Sequence, residues 1–352
     1  MKNAHILPLT GVRLVAAAAV VFYHFGGRFQ EACPLLSPFQ HVMSLGYYAV
    51  PFFFILSGFI LSHNYFSNYS LKDHPKFIFY RFARLWPVHA VTFLLALNYA
   101  GYQMGAQPVW HAAQELSMTR SWYSAELASN YPAWTISAEW FAYLCVFPIA
   151  FLAFSRIRSI RILLGTVAVL LAAAAYFPEK NILARGGNIA FLFSAGSALY
   201  RIRCLAKSPA PLLFQKLGVL LIALFVLFTN SMSNAVIFIG FAALIYGLSF
   251  ERGMLSQVLS TKFFVAGGLA SYSLYMTHAV VGNAFNLLTI NIKSPTQLEK
   301  LGLLVVFVFG LAGAALAFYR FVEEPANRAL RSLISQPKSK SAPVPANASL
   351  AT

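Results

Sequence analysis

Acidic residues are almost missing from this chain: 10 of its 352 residues are Asp or Glu. Charged residues of both signs together make up only 10%, where a soluble protein of this size carries roughly a quarter. A water-solvated globular surface is therefore excluded. Cysteine is scarce as well. Cys33, Cys145 and Cys204 lie in unrelated segments without metal-ligand spacing, so no metal site is expected. No internal repeat is visible, which weighs against a transporter built from inverted halves. No soluble catalytic domain is recognisable either, so any chemistry is expected inside the apolar part of the chain.

What the chain does have is apolar surface. Hydrophobic residues make up 59% of it, with a mean hydropathy of +0.66. Apolar runs of about 20 residues, the length that crosses a bilayer, recur throughout. Ten of them are read near 8–27, 44–64, 85–104, 131–154, 161–177, 187–200, 217–230, 235–250, 263–288 and 301–322. The expected fold class is all-α: a polytopic integral membrane helix bundle of about ten transmembrane helices. Residues 1–330 form one membrane-embedded domain in this reading. Residues 331–352, rich in Ser, Pro and Ala, form a disordered cytoplasmic tail. Lys2 followed by an apolar run resembles a signal peptide, but the run ends in His24 and Phe25 with no small-residue cleavage site. It is read as a retained first span.

Charge placement sets the orientation. With a cytoplasmic N-terminus, 19 Lys and Arg fall on the inner side. Six fall on the outer side: Arg28, Arg120, Lys180, Arg185, Lys293 and Lys300. Basic residues collect in cytoplasmic loops, so both termini are expected in the cytoplasm. Cys33 and Cys204 then face opposite sides, which excludes a disulfide between them. The same bias explains the net charge of +16 without a nucleic-acid partner. The outer segment 105–130 contains "PVWHAAQELSMTRSWY", read as an amphipathic helix lying along the interface.

Ionisable groups at membrane depth are rare and usually functional. In the first span, Arg13 and His24 stand eleven residues apart, on nearly one helix face and about 16 Å apart along the axis. They would line one wall of a channel, Arg13 near the cytoplasm and His24 in the outer half. "WTISAEW" brings Glu139 in from outside, roughly 10 Å below the outer edge by helical rise. "SYSLYMTH" carries Tyr275 and brings His278 to the outer half. His24, Glu139 and His278 are thus expected at similar depth, with the carboxylate orienting an imidazole base. A purely structural hydrogen-bond network is the alternative.

On the inner side, "YRFARLWP" places Arg81 and Arg84 three residues apart at the mouth of the third span. Both guanidinium groups would face one way, which suits a polyanionic phosphate; anionic lipid binding is the alternative. "PFFFILSGFIL" adds Ser57 and Gly58, a small pair that lets a helix or a ligand approach closely. Histidines 5, 41, 63, 74, 89 and 111 lie at edges or in loops and receive no task.

In this order, R-x10-H (Arg13, His24), "FFFILSGFIL", "RFARLWP", "WTISAEW" and "SYSLYMTH" resemble acyltransferase family 3. These are membrane-bound acyltransferases that include O-antigen and exopolysaccharide O-acetylases. "FVEEPANR" resembles the segment that closes the family's last span, and the likeness covers about residues 8–328. The opening departs from the family, with Thr10 in place of an acidic residue and Leu14 in place of a glycine. The resemblance implies a bacterial plasma-membrane enzyme that moves an acyl group, usually acetyl, from acetyl-CoA or another acyl-CoA to a hydroxyl. The acceptor would be an extracytoplasmic glycan or lipid-linked saccharide, with membrane lipids around the enzyme and no metal. It implies His24 as catalytic, Arg13, Arg81 and Arg84 as needed for function, and Glu139 as a partner. Coenzyme A phosphates would rest at Arg81 and Arg84, with Ser57 and Arg13 along the donor path and His278 and Tyr275 in support. His24 could act as base or as nucleophile. A transporter or flippase using the same polar path is the rival function. Acceptor identity, acetyl against succinyl, and oligomeric state stay open.

Overall fold

The computed structural model describes residues 5–99, 108–123, 129–177, 182–207 and 209–334. Every regular element among them is helical, and no strand occurs. The main helices are α1 Leu7–Ala32, α2 Ala49–Tyr65, α3 His74–Tyr99 and α4 Pro108–Leu116. They continue with α5 Ala133–Phe154, α6 Ile160–Tyr176, α7 Ile182–Leu205 and α8 Pro211–Leu227. The last four are α9 Asn234–Leu248, α10 Lys262–Leu269, α11 Ser271–Thr289 and α12 Gln297–Ser332.

Helix is the element in which an apolar segment satisfies all its backbone groups internally, which hydrocarbon surroundings demand. Local chemistry sets several starts. Pro8 stands in the first turn of α1, where its missing N–H costs nothing. Thr296 and Glu299 close a capping box on α12. Each of the ten apolar stretches overlaps a helix. Among the described residues, four helical segments are long and apolar enough to cross a membrane: Leu7–Ala32, Pro34–Tyr65, Ala133–Phe154 and Gln297–Ser332. Ile160–Tyr176, Pro211–Leu227 and Asn234–Leu248 are shorter apolar helices.

Three boundaries differ from the sequence reading. The third helix begins at His74, not near residue 85, and runs through Pro87. Arg81 and Arg84 therefore sit within a helix wall instead of at a loop mouth. The ninth apolar stretch is two helices meeting at Ala270, α10 and α11. At the C-terminal end, α12 does not stop at residue 322. It passes through a wide turn at Tyr319–Glu323 and continues to Ser332, packing on α3. Glu323, buried and paired with Arg84 and Ser273, holds that extension in place. Within the segment 105–130, α4 is a helix with one exposed face, at Val109 and Trp110, and one packed face. Its Gln114 and Glu115 are buried, and its end is tied to α3 by Trp86 Nε1 donating to Leu116 O at 2.9 Å. His89 Nε2 reaches Glu115 O at 2.6 Å. Of the segment 331–352, read as a disordered tail, Arg331 and Ser332 belong to α12, and 335–352 lie outside the described residues.

The helices approach most closely through glycine. α2 packs against α7 at Gly58 and Gly196. A Cβ on Gly58 would stand 1.9 Å from Phe193 O, and one on Gly196 would stand 1.9 Å from Ile55 O. Small residues thus bring the two backbones together. Ser197 Oγ crosses the seam to donate to Gly58 O at 3.3 Å. On the other side of the bundle, α1 packs against α10 and α11, and α11 against α3 and α12. The result is a ring of α1, α2, α3, α5 and α11 around an internal cavity.

Candidate active site

The cavity has a volume of about 160 Å³, and its polar lining includes Arg13, Ser57, Arg81, Arg84, Glu139 and Tyr143. Sites that enclose a whole drug-sized ligand run to about 300–1,000 Å³. This one has room for one arm of a ligand.

Glu139 is the hub of its α5 side. It accepts hydrogen bonds from Ser57 Oγ at 3.0 Å and from Tyr143 Oη. Tyr143 lies in a π-helical turn, Ala142–Val146, inserted in α5. Such turns are frequent at functional sites. This one leaves the Leu144 carbonyl within 3.2 Å of His74 Nε2, while Tyr69 Oη meets His74 Nδ1 at 2.6 Å.

The three arginines differ in their partners. Arg84 pairs with Glu323, a residue 1% exposed, whose other oxygen accepts from Ser273 Oγ at 2.5 Å. Arg81 donates to Tyr65 Oη at 3.1 Å and lies over the Tyr65 and Phe77 rings, with its Nε buried and unpartnered. Arg13 lines the cavity with no hydrogen bond or ion pair among the described residues. Arg81 and Arg84 thus do not form the matched pair their spacing suggests, because Glu323 reaches only the second of them. The cavity keeps two cations without a contacting carboxylate, Arg13 and Arg81, and they share it with Glu139. Low-dielectric surroundings make such charges strong attractors of an anion.

A second cluster lies further along α1 from the cavity. His24 is exposed and makes no protein hydrogen bond among the described residues. Its ring lies 4.6 Å from Tyr131 and stacks on His278 at 5.2 Å, with 27° between planes. His278 is 0% exposed, and its Nδ1 faces Tyr275 O at 2.5 Å. Its Nε2 is buried with no partner. Tyr275 joins the two clusters: its ring packs 5.6 Å from His278, and its hydroxyl lies 3.1 Å from Thr135 Oγ1 at the cavity wall.

The structure brings Arg13, Ser57, Arg81, Arg84, Glu139 and Tyr275 together around the cavity. It sets His24 and His278 side by side beyond Tyr275. The expected contact between Glu139 and His24 does not form. Tyr131, just before α5, is the residue that meets His24. Glu139 follows eight residues later, about 12 Å further along the chain by helical rise. The carboxylate therefore reaches the level of Arg13. Sequence reasoning also missed Glu323, Tyr65, Tyr131 and Tyr143. Glu323 had a signal, since a carboxylate at the end of an apolar span is conspicuous in a chain with 10 acidic residues. The tyrosines stand among 17 and had none.

Comparison with known proteins decides the class. Residues 7–319 match the model of acyltransferase family 3, described as an acyltransferase domain. The chain belongs to acyltransferase family 3. This family 3 protein is also similar to the acyltransferase MdmB of Streptomyces mycarofaciens, 32% identical over 153 residues. That match covers 40% of this chain and 38% of MdmB, so it spans about two fifths of the relative. No solved structure matches. The acyltransferase domain of that family thus covers nearly all the described residues. Among the described residues of this family 3 chain, no group of three or more His, Cys, Asp or Glu could hold a metal ion.

Proposed function

We propose that this acyltransferase crosses the bacterial inner membrane about ten times with both termini in the cytoplasm. It moves an acyl group, acetyl in the first place, from cytoplasmic acyl-coenzyme A to a hydroxyl of an extracytoplasmic glycan or lipid-linked saccharide. The observation that supports this most is the division along α1. Arg13 opens on a cation-lined cavity, and His24, about 16 Å further by helical rise, offers an exposed imidazole free of protein hydrogen bonds.

The donor is anionic at one end and reactive at the other. Arg81, with its partner-free Nε, and the unpaired Arg13 attract the phosphate-bearing donor from the inner side. Arg84 is held by Glu323 and contributes mainly to the cavity wall. A cavity of about 160 Å³ has room for the slender pantetheine arm. The thioester is then drawn past Tyr275 toward His24. There neutral His24 removes the proton of the acceptor hydroxyl, whose oxygen forms a bond to the thioester carbonyl carbon. The carbon–sulfur bond breaks, and the coenzyme A thiolate takes the proton. A positioned base of this kind contributes on the order of a hundred- to ten-thousandfold in rate. In the second route His24 attacks the thioester itself and passes on the acyl group. Glu139 belongs to the donor side, where it holds the Ser57 and Tyr143 hydroxyls.

The test is thioester consumption by the full chain in nanodiscs supplied with acetyl-CoA and a cell-surface glycan extract. Wild type should release coenzyme A and acylate the extract, and His24→Ala should do neither while remaining folded. Intact acetyl-CoA with wild-type protein, or full activity in His24→Ala, overturns the proposal. Mass spectrometry of surface glycans with and without the protein identifies the acceptor.

A further inference from the structure

The second cluster poses a chemical problem. A histidine that takes up a proton needs a partner for its new N–H, and among the described residues no carboxylate contacts His24. His278 does, ring against ring.

The protonation of His278 follows from its neighbours. Nδ1 faces the Tyr275 carbonyl at 2.5 Å, and a carbonyl can only accept, so Nδ1 carries the hydrogen. Nε2 is then a bare lone pair. It is also buried without a partner, an arrangement that costs about 1–3 kcal/mol and is uncommon in native proteins. The ring cannot easily turn to relieve this. Tyr131 and Phe25 pack against it edge-on, with centroids 5.4 and 6.1 Å away, and Tyr275 holds its other nitrogen.

We propose that His278 is a positioning residue for His24. Its Nε2 accepts the N–H that His24 acquires when it takes the acceptor's proton. The inference rests on the acyl-transfer reading above and deepens it. The two rings lie 27° from parallel, so at rest they stack and share no hydrogen bond. Rotation of the His24 ring about its Cβ–Cγ bond turns an N–H toward Nε2. His24 is exposed and meets the acceptor, whereas His278 is fully buried and acts only through His24. The step balances: the hydroxyl proton moves to His24 as the carbon–oxygen bond forms. It leaves for the coenzyme A sulfur as the carbon–sulfur bond breaks, and His278 keeps its own proton throughout. A neutral acceptor suits this cycle. It supports a transient imidazolium but, unlike a carboxylate, does not hold His24 charged between turnovers.

The test uses the full chain in nanodiscs with acetyl-CoA and the acceptor extract. His278→Phe keeps a ring to stack on but has no acceptor, and His278→Gln restores an acceptor oxygen near the Nε2 position. A hydrogen bond to a charged group is worth about 1.5–3 kcal/mol, so His278→Phe should lower kcat about 10- to 100-fold. KM for acetyl-CoA should stay within about twofold, because the donor cavity is untouched, and His278→Gln should recover most of the loss. Where His278→Phe fails to assemble, His278→Leu serves as the acceptor-free variant. A folded acceptor-free variant with wild-type kcat overturns the inference, as does a His278→Gln variant no better than it. If wild-type protein leaves acetyl-CoA intact, the acyl-transfer reading falls and this inference with it. An active wild type beside an unaffected His278→Phe removes this inference alone.

Discussion

The pairing of Arg84 with Glu323 predicts a large, testable coupling. Both oxygens of Glu323 are engaged, one by Arg84 and one by Ser273, and its side chain is fully buried, while that of Arg84 is 25% exposed. Two unit charges about 4 Å apart attract by about 4 kcal/mol at an effective dielectric of 20. Removing one partner of a buried pair typically costs about 3–5 kcal/mol, because the other charge is left uncompensated. Glu323→Ala should therefore destabilise the protein by about 4 kcal/mol. It strands Arg84 and takes the acceptor from Ser273. It also loosens the turn at Tyr319–Glu323 that docks the end of α12 on α3. Arg84→Met combined with Glu323→Leu should recover much of that loss, since an apolar pair of similar volume removes the desolvation problem. The assay is a double-mutant cycle of Arg84→Met, Glu323→Leu and their combination on detergent-solubilised protein, followed by denaturant titration. Single-variant effects that simply add in the double variant would show that the two charges do not interact, and the argument for Arg84 as a structural cation would fail.

Three further outcomes follow from the same geometry. Arg81→Ala should weaken coenzyme A binding by calorimetry at least about tenfold, in line with the roughly 1.5–3 kcal/mol of a charge-assisted contact; unchanged affinity would move the phosphates elsewhere. Gly58→Ala should destabilise the α2–α7 seam by about 1–3 kcal/mol or more, because the new Cβ would stand 1.9 Å from Phe193 O. A wild-type thermal melt would refute the close approach. Tyr69, outside the spans, has its phenol pushed up to about 12, by burial first and by Asp73 second. Its contribution to stability is then fully present below pH 10 and lost as pH rises toward 12. Tyr69→Phe should flatten the alkaline end of the stability profile, and an identical profile would count against the buried phenol.

Much of the architecture was legible in the chain. Each apolar run fell on a helix, because in hydrocarbon surroundings no other element satisfies the backbone within a single segment. The polar exceptions to those runs located the cavity residues, because charge at that depth is too costly to be incidental. Helix ends were less legible. His74 to Arg84 carries enough charge to read as a loop, yet it is helical, with Arg81 and Arg84 turned to Tyr65 and Glu323.

The sequence by itself determined an all-helical bundle, the R-x10-H spacing on α1, and the family to which the chain belongs. Those properties depend on composition and on distances along one helix, which the chain order sets. Which polar groups meet was decided only by the tertiary structure. Glu139 met Ser57 and Tyr143 instead of His24, Glu323 claimed Arg84 and left Arg81 partly free, and His278 took the place beside His24. Depth along a helix is additive and can be counted in residues. Contact between helices depends on tilt, rotation and close approach at glycines such as Gly58, none of which is encoded in any single segment.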